Sequence, residues 1–64
     1  MKIVLKVEND LALVLWPNNN LPYVVCTLEQ PDVKVGEQIS HWFHGTYFYT
    51  VDEALAYFNK RRGR

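Results

Sequence analysis

Hydrophobic and polar positions alternate in short blocks along the first half of the chain and at helical spacing along its end. Residues 2–7 and 11–16 are apolar-rich, β-branched runs separated by Glu8-Asn9-Asp10, the pattern of a hairpin. A two-residue loop, Asn9-Asp10, would pair Lys6 with Leu13 and Glu8 with Leu11, mixing charge into a leucine face. A three-residue loop, Glu8 to Asp10, pairs Val7 with Leu11, Leu5 with Leu13 and Ile3 with Leu15, giving one wholly apolar face. The sequence therefore favours the longer loop, with Asp10 left-handed. Pro17 to Pro22, with its asparagine triplet, reads as a turn, and 22–28 as a third strand. A polar loop follows over 29–37, bounded by Pro31 and Gly36.

Residues 38–43 and 46–49 bracket His44-Gly45, a two-residue hairpin signal. Such a hairpin pairs Trp42 with Tyr47 and Ser40 with Tyr49, placing Trp42, Tyr47 and Tyr49 on one face. Ile39, His41, Phe43 and Phe48 then share the other. The helix is predicted over 51–61. Thr50-Val51-Asp52-Glu53 fits a capping box, and Val51, Ala54, Leu55 and Phe58 recur at i, i+3, i+4 and i+7. Acidic residues at its start and Lys60, Arg61 and Arg62 at its end suit the helix dipole, and Gly63 supplies a stop. The expected fold is α+β, one domain over 1–64. It is an antiparallel meander of about five short strands, curling towards a partly open barrel. One C-terminal helix packs on one face, over Ile3, Leu5, Leu13 and Leu15.

Length changes how that pattern should be weighed. A chain of 64 residues buries only about 60% of its unfolded surface. A single cysteine, Cys26, offers no internal disulfide, so dense aromatic packing or association must make up the difference. The first apolar run, Ile3 to Leu5, is too short for a signal peptide or a membrane span. With an unpaired thiol, this points to a cytoplasmic setting and no membrane partner.

The net charge of zero conceals an uneven distribution. Lys2, Lys6 and Lys34 stand against seven carboxylates in residues 1–59, and the tail Lys60, Arg61, Arg62 and Arg64 restores the balance. An acidic body with a basic end suggests two binding modes. In the first, Trp42, Tyr47 and Tyr49, with Trp16 beside them, form an exposed aromatic face that meets a protein partner or a second copy. The alternative to exposure is that they pack over Lys2, Trp16 and Tyr23 as a second small core, or are shielded by the 29–37 loop. In the second, the same aromatics stack nucleic-acid bases while Lys60, Arg61, Arg62 and Arg64 contact phosphates. The first is preferred, because the strands and loops supply no basic groove.

Catalysis and cofactors find little footing. His41, His44 and Cys26 are three zinc-ligand types without zinc spacing, with His41 expected partly buried and His44 in a turn. Cys26 sits among valines as a small buried hydrophobe would. No glycine-rich phosphate loop is present. The expectation is a non-catalytic binding or regulatory module with no metal and no cofactor. In size and acidic-body character the chain is similar to small accessory proteins of phages and mobile elements, some of which bind and inhibit host machinery.

Overall fold

The first turn sets the register of the whole sheet. In the computed structural model, which describes residues 1–30 and 32–62, β1 (Ile3–Glu8) and β2 (Leu11–Leu15) are joined by Asn9-Asp10 alone. The left-handed residue is Asn9, at φ 55°, and not Asp10. Glu8 faces Leu11, Val7 faces Ala12 and Lys6 faces Leu13. Leu5 is then taken up in a bulge, after which Val4 faces Val14 and Ile3 faces Leu15, both in the register of the longer loop. The charges that argued against this register are accommodated at the rim of the helix. Lys6 Nζ lies 5.4 Å from the centroid of the Phe58 ring, and Glu8 Oε1 accepts from Arg62 Nη1 at 3.4 Å.

β3 (Tyr23–Leu28) pairs antiparallel with β2, and β4 (Trp42–Phe48) pairs antiparallel with β3, giving the order β1-β2-β3-β4. The architecture is a four-stranded antiparallel sheet with one C-terminal helix, an α+β fold in which the sheet is not closed. Both faces are covered. On one, Val4, Ala12, Val14, Val24, Cys26 and Leu28 form a buried cluster under Val33, Ile39, Trp16 and Trp42. On the other, Leu11, Leu13 and Val25 pack against Ala54 and Phe58 of α1 (Val51–Arg62). Of the residues expected beneath the helix, Leu13 is in this core; Leu5, displaced by its bulge, is 37% exposed. Along the helix, Ala54 and Phe58 are buried and Leu55 is half-buried, whereas Val51 is exposed and Tyr57 packs in its place.

Thr50 caps α1. Its hydroxyl accepts from the Glu53 N–H at 3.3 Å, the half of the capping box that the sequence predicted, while the Glu53 carboxylate accepts from that hydroxyl at 3.2 Å rather than from a backbone N–H. The helix stop at Gly63, the Pro31 boundary and the tail residue Arg64 lie outside the described residues.

The larger departure lies between β3 and β4. Residues 38–43 and 46–49 do not form a hairpin; β4 runs straight through His44-Gly45. The segment before it is drawn away to the free edge of β1. Val4 N–H donates to Glu37 O (2.9 Å), Gly36 N–H to Val4 O (2.8 Å) and Ile39 N–H to Lys2 O (3.0 Å), with a single bridge between Ile3 and Gln38. Gly36 makes this return at φ 94°, a conformation that favours glycine. Val33 and Ile39 anchor the loop to the sheet. Within β4, Thr46 faces Val25 and Phe43 faces Thr27, so His44 and Gly45 together oppose Cys26. This is a bulge, with His44 left-handed at φ 53°.

Candidate functional site

The bulge in β4 brings the aromatic residues together. Because it inserts one extra residue, Trp42 and Tyr47 end on the same sheet face although five positions separate them. The Trp42 indole lies along the strand over Gly45. A Cβ at Gly45 would stand 2.9 Å from Trp42 Nε1 and 3.2 Å from both Trp42 Cδ1 and Tyr47 Cε1, so the bare glycine is what leaves room for the ring. Trp42 Nε1 then donates to the Tyr47 hydroxyl at 3.3 Å.

Trp16 arrives from the far end of β2. Its N–H donates to Pro22 O at 2.7 Å and its carbonyl accepts from Asn19 N–H at 3.1 Å, so the predicted turn over 17–22 closes beneath it. Its ring meets Trp42 edge-on, with centroids 5.9 Å apart and planes at 75°, and lies 6.4 Å from Tyr47. Both geometries fall in the range favoured for aromatic pairs. Into this cluster reaches Lys2, whose Nζ stands 4.7 Å from the Trp16 centroid and 5.7 Å from that of Trp42. Trp16 and Trp42 are half-buried, while Tyr47 is 38% exposed. Three of the four aromatic residues singled out in the sequence thus form one site. Tyr49, 71% exposed beyond the end of β4, stands apart. Lys2, just before β1, joins the three: the sequence had placed it with Trp16 beneath the aromatics as one alternative, and its ammonium lies at both indole rings.

The basic residues belong to the opposite side. Arg62 is paired to Glu8, and Arg61 lies over the Tyr57 ring at 5.6 Å while Nη1 donates to its hydroxyl at 3.2 Å. Hydrogen bonding from the Thr46 side chain, then from Arg61, holds the Tyr57 phenol below its ordinary pKa. Tyr57 packs on the helix-side core with Phe48, their centroids 5.3 Å apart. The described tail cations and the tryptophans therefore do not share a surface. Phe43 is 52% exposed, an apolar side chain that the hairpin reading had placed with His41 on a covered face.

The residues considered for chemistry do not converge. His41 and His44 are both exposed, which corrects the partly buried place expected for His41. Among the described residues, no three histidine, cysteine or acidic side chains come close enough to hold a metal ion. A cavity of about 220 Å³ opens between the end of β3 and the loop, with Glu29, Glu37 and His41 on its walls. Cys26 is fully buried, and burial pushes its thiol from 9.0 up to about 12. The thiolate, the reactive form, is therefore scarce at neutral pH. In the folded protein Cys26 should resist a thiol-reactive disulfide reagent at pH 8 and react fully in denaturant. Because the folded pKa is raised, its contribution to stability is intact below pH 9 and is lost as pH rises towards about 12. Rapid labelling without denaturant would refute the buried placement.

No helix among the described residues is long and apolar enough to cross a membrane. No family model matches the chain, and neither a curated protein nor a solved structure is found to be significantly similar to it.

Proposed function

We propose that the chain is a small non-catalytic binding module of the cytoplasm that meets a protein partner, or a second copy of itself, through the Trp16–Trp42–Tyr47 face. The observation that carries this reading is the organisation of the cluster. Two indoles and a phenol are held against one another by a glycine bulge and a closed turn, yet stay partly open to solvent. Rigid aromatic side chains lose little conformational entropy on binding and dominate the energetics of many protein interfaces. A domain of this size also gains from burial that its own core does not supply. The nucleic-acid reading is weaker, since stacking rings and phosphate-binding cations need a common groove, and the described tail cations Arg61 and Arg62 lie on the helix side, away from the indoles.

The test compares the wild type with Trp42→Ala and Tyr47→Ser, the second at a partly exposed position where the fold should tolerate the change. Sedimentation velocity gives the oligomeric state and affinity capture gives the partner. Truncation of a central interface residue should weaken the association by about 30-fold, corresponding to roughly 2 kcal/mol. Unchanged association in both variants would show that the face is not the interface. An oligonucleotide titration followed by tryptophan emission should give no saturable signal. A signal that collapses with salt would instead support nucleic-acid binding.

A further inference from the structure

We infer that the Trp16–Trp42–Tyr47 cluster is a cation cage that takes a lysine side chain from a basic segment of a partner protein, and that Lys2 is its internal occupant. This rests on the proposed binding face and names what that face recognises. The site already holds a cation: the Lys2 ammonium sits within 6 Å of both indole centroids, with the rings at 75° to each other. An ammonium in such a position is attracted by the negative faces of the rings. The backbone of Lys2 is fixed, its carbonyl accepting from Ile39 N–H at 3.0 Å. Its four-carbon side chain ends at the half-open cluster and can swing aside without disturbing a strand. Displacement exchanges one ammonium for another, so the site is preformed and self-protected when no partner is present.

Charge on the same face favours a basic partner. The loop that covers it carries Glu29, Asp32 and Glu37 against Lys34, all exposed, and Glu29 and Glu37 line the cavity beside Leu28. Arg61 and Arg62 are on the helix side, where they would not repel an incoming cation at the cage. A basic segment can therefore place one lysine between the indoles while its other cations lie along the acidic loop.

Both tryptophans of the chain stand in the cage, so intrinsic emission and the two indole N–H resonances report on it directly. The probe is an alternating lysine–glycine peptide, with glutamine in place of lysine as the control, titrated into the full chain. The lysine peptide should shift both indole resonances saturably, and the glutamine peptide should not. Lys2→Met removes the internal competitor and should tighten lysine-peptide binding about fivefold, the equivalent of a cation–π contact near 1 kcal/mol. Trp16→Leu in the Lys2→Met background should abolish the response, and Tyr47→Leu serves if that variant fails to fold. Equal shifts with both peptides, unchanged affinity in Lys2→Met, or binding that survives loss of the cage residue would each overturn the cage. Loss of association in Trp42→Ala together with a silent lysine peptide would leave the binding face standing and remove only its lysine specificity.

Discussion

Phe58→Ala should leave the chain largely unfolded at 37 °C. Phe58 is the largest fully buried side chain, and it joins Ala54 to Leu11, Leu13 and Val25 beneath the helix. Truncating a buried phenylalanine removes its transfer free energy and leaves a cavity, together about 3–5 kcal/mol. At roughly 0.05–0.15 kcal/mol per residue, the whole chain of 64 residues has only about 3–10 kcal/mol to lose. The substitution also removes the ring beneath Lys6 and loosens the helix end that brings Arg62 to Glu8. Urea denaturation followed by far-UV circular dichroism measures the effect. A loss under about 1 kcal/mol would mean that the helix is not docked through Phe58.

That dependence on one helical residue was legible in advance, because the helix carries its own signals. Thr50 and Glu53 mark its start, Ala54 and Phe58 its inward face, and no tertiary contact has to be known to read them. The meander was legible for the same reason: short apolar runs separated by turn residues can hardly pair in another order. Register was not. The purity of a leucine face discriminates between two turn lengths only in a sheet with one buried side. Here β2 and β3 are buried on both sides, so Ala12, Val14, Val24 and Cys26 are as much core as Leu11 and Leu13. The continuous apolar runs in these strands carry that information, since a strand buried on both faces need not alternate.

With two covered faces, a misplaced charge costs less than it would in a one-sided sheet, provided it falls on an edge strand. Lys6 and Glu8 do so on β1, where the helix supplies Phe58 and Arg62 as partners. The false hairpin at His44-Gly45 has a similar origin. Its local signal is real, because His44 does adopt a left-handed conformation, but the backbone of 36–39 is hydrogen-bonded to β1 rather than to 46–49. A long-range pairing overrode a local turn preference. The shared face of Trp42 and Tyr47 came out of the sequence for the wrong reason: a hairpin makes them cross-strand partners, whereas a bulge makes them neighbours on one strand. Lys2 beside Trp16 was legible too, because the pairing of Ile3 with Leu15 carries Lys2 to the end of β2.

Gly45→Ala tests the device on which the cluster depends, and it should act on structure and binding together. The new methyl carbon would lie 2.9 Å from Trp42 Nε1 and 3.2 Å from Tyr47 Cε1, closer than side chains settle without moving. The indole and the phenol must part, giving up the 3.3 Å hydrogen bond between them, and the crowding should destabilise the fold by about 1–3 kcal/mol. Tryptophan emission should move to longer wavelength as the rings lose their packing. The lysine peptide should lose its grip on the cage, even though Lys2, Trp16 and Trp42 are all still present. The left-handed residue of the bulge is His44 and not Gly45, yet any side chain added at 45 can also disturb the bulge backbone, so stability alone does not separate the two effects. A double-mutant cycle with Trp42→Ala does. Alanine removes the whole ring that the methyl group would strike, so Gly45→Ala should be at least 0.5 kcal/mol milder in that background, above the roughly 0.3–0.5 kcal/mol scatter of independent sites. Strict additivity would mean that Gly45 serves the backbone of the bulge alone and that Trp42 is free to place its ring elsewhere. Coupling would tie the proposed binding face to the one residue in β4 without a side chain.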